Sequence, residues 1–138
     1  MMKIKYILLI LLLMIVSIIT GAEKQQIIIP EGLKPGDTVG LIAPANYTGS
    51  SADAEVEYLI NKGFNVVYGK SFDARWYGFG GTDEIRAKDI NDMFADKNIK
   101  AIFAIRGGYG TIRLVDKLNY DTIKKNPKIF SGYSDITT

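Results

Sequence analysis

Two short runs in this chain carry residue types at a spacing suited to chemistry. The first is Gly132-Tyr-Ser134-Asp135. Pro127 closes what precedes it, Lys128 to Ser131 read as a short, largely apolar strand, and Asp135 to Thr138 read as the first turn of a helix. A serine between a buried strand and a helix start has the geometry of a nucleophile elbow. Its hydroxyl projects from the sheet edge, and the next backbone N–H groups face the same spot. Gly132 has no Cβ and tolerates the crowding of such a turn. Only half of the G-x-S-x-G pattern is present, so Ser134 as an ordinary turn residue or helix cap stays open. The second run is Arg106-Gly-Gly-Tyr-Gly110, between an apolar strand and a helix expected to reach about Leu118. Its bare N–H groups suit an anion or an oxyanion, although the glycines would equally serve a tight crossover. Neither the G-x-G-x-x-G fingerprint nor the Walker lysine is present.

What is missing narrows the chemistry further. The sequence has no cysteine, which removes disulfides, thiolate metal sites and a cysteine nucleophile. It also has no histidine, the usual general base for serine chemistry at neutral pH. A lysine base remains open, but nothing marks Lys100, Lys128 or any other lysine for that role.

The elements that must position the two runs follow from periodicity and punctuation. Ile27 to Pro30 is a candidate edge strand stopped by proline, and Leu33 to Asp37 is a turn built on Pro35-Gly36. Thr38 to Ala43 is a continuous apolar run, the pattern of a strand buried on both faces. Ser51 to Lys62 reads as a helix, with Ser50 or Ser51 as cap, Asp53 and Glu55 in its first turn, and Val56, Leu59 and Ile60 on its apolar side. Gly63 stops it, and Phe64 to Tyr68 is the next strand. Lys70 to Gly81 is irregular and aromatic (Phe72, Trp76, Tyr77, Phe79), either a substrate wall or a flap packed on the domain. Thr82 caps a second helix through Ala95, Ala101 to Ile105 is a third strand, and Tyr120 to Asn126 is a short helix or turn before the strand that leads to Ser134. The order β-α-β-α-β-α-β predicts an α/β fold, a mostly parallel open sheet with flanking helices. In such sheets ligands bind at the carboxyl ends of the strands, so Ser134 and the Arg106–Gly110 loop are expected on one rim.

Composition bounds the rest. In 138 residues, 47% hydrophobic and 23% charged, there is room for one globular domain after a leader. Met1 to Ala22 has the three parts of a secretory signal: Lys3 and Lys5, the apolar stretch Tyr6 to Thr20, and Thr20-Gly21-Ala22 for cleavage. A helix of about 15 residues spans roughly 22 Å, short of the roughly 30 Å hydrocarbon core, which favours a cleaved signal over a retained anchor. Either way residues 23–138 are expected to be exported. Without Lys3 and Lys5, cations and acids number 15 each, so no nucleic-acid surface is indicated.

With Leu33-Lys-Pro-Gly-Asp-Thr-Val-Gly-Leu-Ile-Ala-Pro44, Arg106-Gly-Gly-Tyr-Gly110 and Gly132-Tyr-Ser-Asp-Ile-Thr137 in this order, the sequence resembles the N-terminal domain of the LD-carboxypeptidases. Gly80-Gly-Thr82 and Ile85-Arg-Ala-Lys-Asp89 are also similar to that family. These serine peptidases remove the terminal D-alanine from murein tetrapeptides and include the microcin-C immunity peptidases. The resemblance implies Ser134 as nucleophile, the N–H groups of Asp135 and Gly108 as oxyanion hole, and Arg106, Gly107 and Tyr109 beside the substrate. It implies a murein peptide or related peptide as substrate, no cofactor or metal, and admits a homodimer. The family's Glu and His come from a C-terminal domain of similar size, and these 138 residues hold no histidine. The chain is therefore expected to be the front half of such an enzyme, inactive by itself, because an unassisted serine hydroxyl is a poor nucleophile. A non-catalytic peptide-binding module of the cell envelope, or a remnant, are the competing expectations.

Overall fold

The computed structural model describes Lys5, Tyr6 and residues 27–138, with the side chains of Ser50 and Ser51 excepted. The signal expected over residues 1–22 lies outside the described residues, apart from Lys5 and Tyr6. Four strands, β1 (Thr38–Ile42), β2 (Asn65–Tyr68), β3 (Ile99–Ala104) and β4 (Ile129–Ser131), form one sheet in the order β2-β1-β3-β4. Every pair is parallel, with Val39 opposite both Val66 and Ala101, and Ala101 opposite Ile129. The helices α1 (Asp53–Asn61), α2 (Lys70–Asp73), α3 (Asp83–Ala95) and α4 (Tyr120–Lys125) lie between the strands in sequence. The expected α/β class, with a parallel open sheet and flanking helices, is the fold observed.

The alternation of β1 explains why it reads as an unbroken apolar run. Val39 and Leu41 face one side, where they pack with Leu59 of α1 and Ala101. Ile42 faces the other, with Ile90, Met93 and Phe94 of α3 and Ile102 of β3. A strand covered on both faces has no polar side. Gly40 lies on the α3 side, where any Cβ would collide with the Met93 sulfur. This residue sets how closely α3 approaches the sheet.

Local signals placed most boundaries. Thr82 caps α3, its hydroxyl accepting the Ile85 N–H at 3.4 Å. Asp37 N–H donates to Lys34 O at 3.0 Å across the Pro35-Gly36 turn, where Gly36 has φ +93°.

Four expectations need correction. Ile27 to Pro30 forms no strand; its isoleucines stay exposed. Helix α1 starts at Asp53 behind a 3-10 turn, Gly49–Ala52, with Ala52 rather than a serine in the cap position. The irregular aromatic stretch opens with the short helix α2, because Asp89 on α3 accepts the N–H groups of Lys70 and Ser71 at 3.0 and 2.6 Å. The helix after the glycine loop is 3-10 over Thr111–Lys117, not α.

Candidate active site

The sheet reverses its order between β1 and β3, because the chain steps outward from β1 to β2 and then crosses back to β3. In open α/β sheets the loops at the carboxyl ends of the strands flanking such a point border the ligand site. Ala45 and Asn46 leave β1 and Arg106 to Gly110 leave β3, and they meet at this point. Asn46 N–H donates to Gly107 O at 3.4 Å. The Asn46 side chain fills the space where Gly108 would carry a Cβ. Gly108 itself has φ +130°.

Ser134 follows β4, the neighbour of β3, and reaches the same rim. Its φ is +58°, in the left-handed region, which an L-residue adopts only under constraint. The constraint is visible on both sides. Gly132 tolerates no side chain, because a Cβ there would run into Ile136 and lie 3.3 Å from Ala104 Cβ. A Cβ on Gly107 would lie 3.0 Å from Ser134 Cβ, 3.1 Å from Tyr133 O and 3.4 Å from Ser134 Oγ. The glycine loop and the serine turn therefore touch backbone to side chain. In the turn, the left-handed conformation falls on Ser134 itself, while Gly132 supplies only space. The turn continues into a 3-10 helix, Ser134–Thr137, rather than an α-turn. Ser134 is exposed, and among the described residues its hydroxyl has no hydrogen-bond partner.

The other expected site residues are placed as follows. Arg106 is exposed and its guanidinium donates to Thr48 O at 3.5 Å, which ties it to the loop after β1. Thr48 is in turn buried, with its hydroxyl on Phe72 O at 2.8 Å. Gly107 is buried beneath Ser134, and Gly108 is exposed beside Asn46. The exposed Tyr109 ring leans on Phe79, centroids 6.1 Å apart. The Asp135 carboxylate is already engaged: it accepts the Thr111 N–H at 2.9 Å, while the Thr111 hydroxyl donates to Asp135 O. Because Gly110 precedes the Thr111–Lys117 helix and offers no capping side chain, its first N–H needs an acceptor from elsewhere.

Arg86 was singled out only as part of a similar segment, and it turns out to tie the rim together. It is wholly buried, and one terminal nitrogen donates to Pro44 O at 2.6 Å and Gly110 O at 3.3 Å. The other pairs with Asp83. Its guanidinium carbon lies 4.7 Å from the Phe79 ring centroid, so the ring face covers the cation. Burial disfavours its charged form, and the Asp83 carboxylate offsets that. Asp83 also accepts Arg113 Nε at 2.9 Å, and this bond, reinforced by the Arg86 pair, holds its carboxyl below the usual range against the effect of burial. Phe79 is thus a packed ring between Arg86 and Tyr109, whereas Trp76 and Tyr77 stay exposed. Among the described residues, no cluster of three or more acidic or histidine side chains could hold a metal ion.

Comparison with known proteins shows the family and the fold. The family model for the LD-carboxypeptidase N-terminal domain matches residues 39–138. A probable murein peptide carboxypeptidase of Bacillus subtilis is 39% identical over 109 residues, covering 78% of this chain and 34% of the relative. The crystal structure of an MccF-like protein from Bacillus anthracis superposes with a TM-score of 0.75 at 33% identity, over 80% of this chain and 35% of that one. The microcin C7 self-immunity protein MccF in complex with aspartyl sulfamoyl adenosine gives a TM-score of 0.74 at 33% identity, over 80% of this chain and 34% of that one. The chain spans about a third of the length of the relatives it matches. It belongs to the LD-carboxypeptidase family, within which it corresponds to the N-terminal domain.

Proposed function

We propose that Ser134 is the nucleophile of a serine LD-carboxypeptidase acting on the exported face of the cell. The substrate is a murein tetrapeptide, cut at the L,D bond to release terminal D-alanine. Ser134 Oγ attacks the scissile carbonyl carbon and gives its proton to a base. The carbonyl oxygen becomes an oxyanion held by the N–H groups of Asp135 and Gly108. Collapse of the tetrahedral intermediate expels the D-alanine amine, which takes the proton. Water then hydrolyses the acyl-serine by the same route in reverse. Arg106, beside Gly107 and Tyr109, supplies a cation for the peptide's terminal carboxylate.

The observation that carries this reading is the left-handed Ser134 seated on Gly107 at the carboxyl rim of the sheet. A strained backbone conformation persists where the surroundings over-determine it, and such positions cluster at functional sites. The base is the open requirement, since the sequence contains no histidine and the Asp135 carboxylate is occupied by Thr111. A C-terminal domain of the family's kind would bring the histidine and its glutamate.

The 138-residue chain alone should therefore release no D-alanine from an L,D-linked tetrapeptide. Fused to the C-terminal domain of a family member, it should release D-alanine, and the same fusion carrying Ser134→Ala should not. A folded fusion with Ser134 intact and no release would overturn the proposal. If the chain alone binds the tetrapeptide while the fusion stays silent, a peptide-binding module is the better description.

A further inference from the structure

The end of the sheet opposite Ser134 has a character that the overall neutral balance conceals. A cavity of about 300 Å³ opens at the amino ends of β1 and β3, and Lys34, Lys97, Lys100 and Lys128 line it with Glu31 and Asp37. Four lysines against two carboxylates leave the lining with an excess of positive charge, and the Asp37 carboxylate accepts the Lys34 backbone N–H at 2.8 Å. Lys128 Nζ donates to the carbonyls of Asp96 and Ile99. Burial disfavours its charge, and the nearby Lys100 works in the same direction against the attraction of Asp96.

A second feature adjoins the first. The segment that enters this cavity at Pro30 carries Ile27, Ile28 and Ile29, which are 86, 60 and 83% exposed. Three bare isoleucines next to four lysines form an amphiphilic patch, with apolar groups to enter a lipid interface and ammonium groups to remain at headgroup level. The exposed isoleucines argue for a bilayer rather than a soluble polyanion, which would have no use for them.

We propose that this pole seats the domain on an anionic lipid surface, with Ile27–Ile29 in the interface and Lys34, Lys97, Lys100 and Lys128 against the headgroups. The rim that carries Ser134, at the other end of the strands, then faces away from the membrane, toward the wall side. The proposal stands apart from the peptidase reading, since neither set of residues enters the other.

Co-sedimentation of the full chain with phosphatidylcholine vesicles of increasing phosphatidylglycerol content tests it. Each juxtamembrane lysine contributes about fivefold in affinity, so Lys97→Gln with Lys100→Gln should weaken binding to phosphatidylglycerol vesicles by roughly 25-fold. Binding to pure phosphatidylcholine should not change, because Ile27–Ile29 are the same in both proteins. The matched pair Lys70→Gln with Lys88→Gln, away from this pole, should change binding by less than about twofold at physiological salt, where the screening length is ~8 Å. Equal losses from the two pairs, or binding indifferent to phosphatidylglycerol, would overturn the proposal. The single tryptophan reports orientation: Trp76 lies in the loop beyond the carboxyl end of β2 and should escape quenching by brominated lipid. Strong quenching of Trp76 would place the opposite pole on the membrane and also refute it.

Discussion

Ser134 combines a left-handed backbone with a hydroxyl that has no hydrogen-bond partner among the described residues. An L-residue held in that region costs about 1–2 kcal/mol, and glycine avoids most of it at some entropic expense. Ser134→Gly is therefore expected to stabilise the fold by about 0.5–1 kcal/mol, read as a higher denaturant midpoint, while abolishing D-alanine release in the reassembled enzyme. Ser134→Ala keeps the strain, so its midpoint should match the parent, and activity should fall at least about a thousandfold. This contrast separates a strained catalytic position from an ordinary turn, where neither change would affect activity. Gly107→Ala tests the neighbouring contact. Its Cβ would lie 3.0 Å from Ser134 Cβ, so the turn must shift, at an expected cost of about 1–3 kcal/mol. Activity should drop further than that loss of stability accounts for.

Among the elements, α3 ties the loops of the rim together. Arg86 reaches from that helix to Pro44 O and Gly110 O, and thereby fixes the loops after β1 and β3 relative to each other. Arg86→Met leaves the carbonyls of Pro44 and Gly110 without this donor while Asp83 keeps Arg113, so it should cost about 1–3 kcal/mol, measured by thermal unfolding. The 3-10 helix after the glycine loop is tied from the other side by Asp135. Asp135→Ala should cost about 0.5–2 kcal/mol, as loss of a cap does, and should speed hydrogen exchange at the Thr111 amide. Asp135 thus has a structural duty in its side chain whatever its N–H contributes to an oxyanion hole.

For the molecule as a whole, the rim and the opposite pole respond differently to solution conditions. The Arg113 hydrogen bond and the Arg86 pair hold the Asp83 carboxyl below its usual range. The stability it contributes is fully present above the unfolded value of about 4, and is lost as pH falls through the lower folded value. The melting temperature should therefore stay level from neutral pH down to about 5 and decline below about 4. Asp83→Asn should lower it at neutral pH and flatten the acid decline; an unchanged acid profile in that variant would assign the loss to other carboxylates. The lysine pole, by contrast, acts through long-range charge, so its lipid binding should weaken with salt at constant pH.

The class of fold, the parallel strands and the meeting of the serine turn with the glycine loop were legible in the residues themselves. Each rests on a short-range rule: a continuous apolar run such as Thr38–Ala43 is a strand covered on both faces, Thr82 is a cap, and strands separated by helices run parallel. Those rules failed where the deciding partner was distant in sequence. Asp89 makes a helix of Lys70–Asp73 from 18 and 19 residues away, and Arg86 joins Pro44 across 42. The role of Asn46 against Gly108 and the capping of Thr111 by Asp135 likewise belong to pairs that no local window contains. The sequence by itself determined which chemistry the chain can offer, a serine without histidine or cysteine. Only the tertiary structure decided where the strain falls and which carboxylate is already spent. It also brought Lys34, Lys97, Lys100 and Lys128 to one end, because those outcomes depend on how close in space the fold brings residues far apart along the chain.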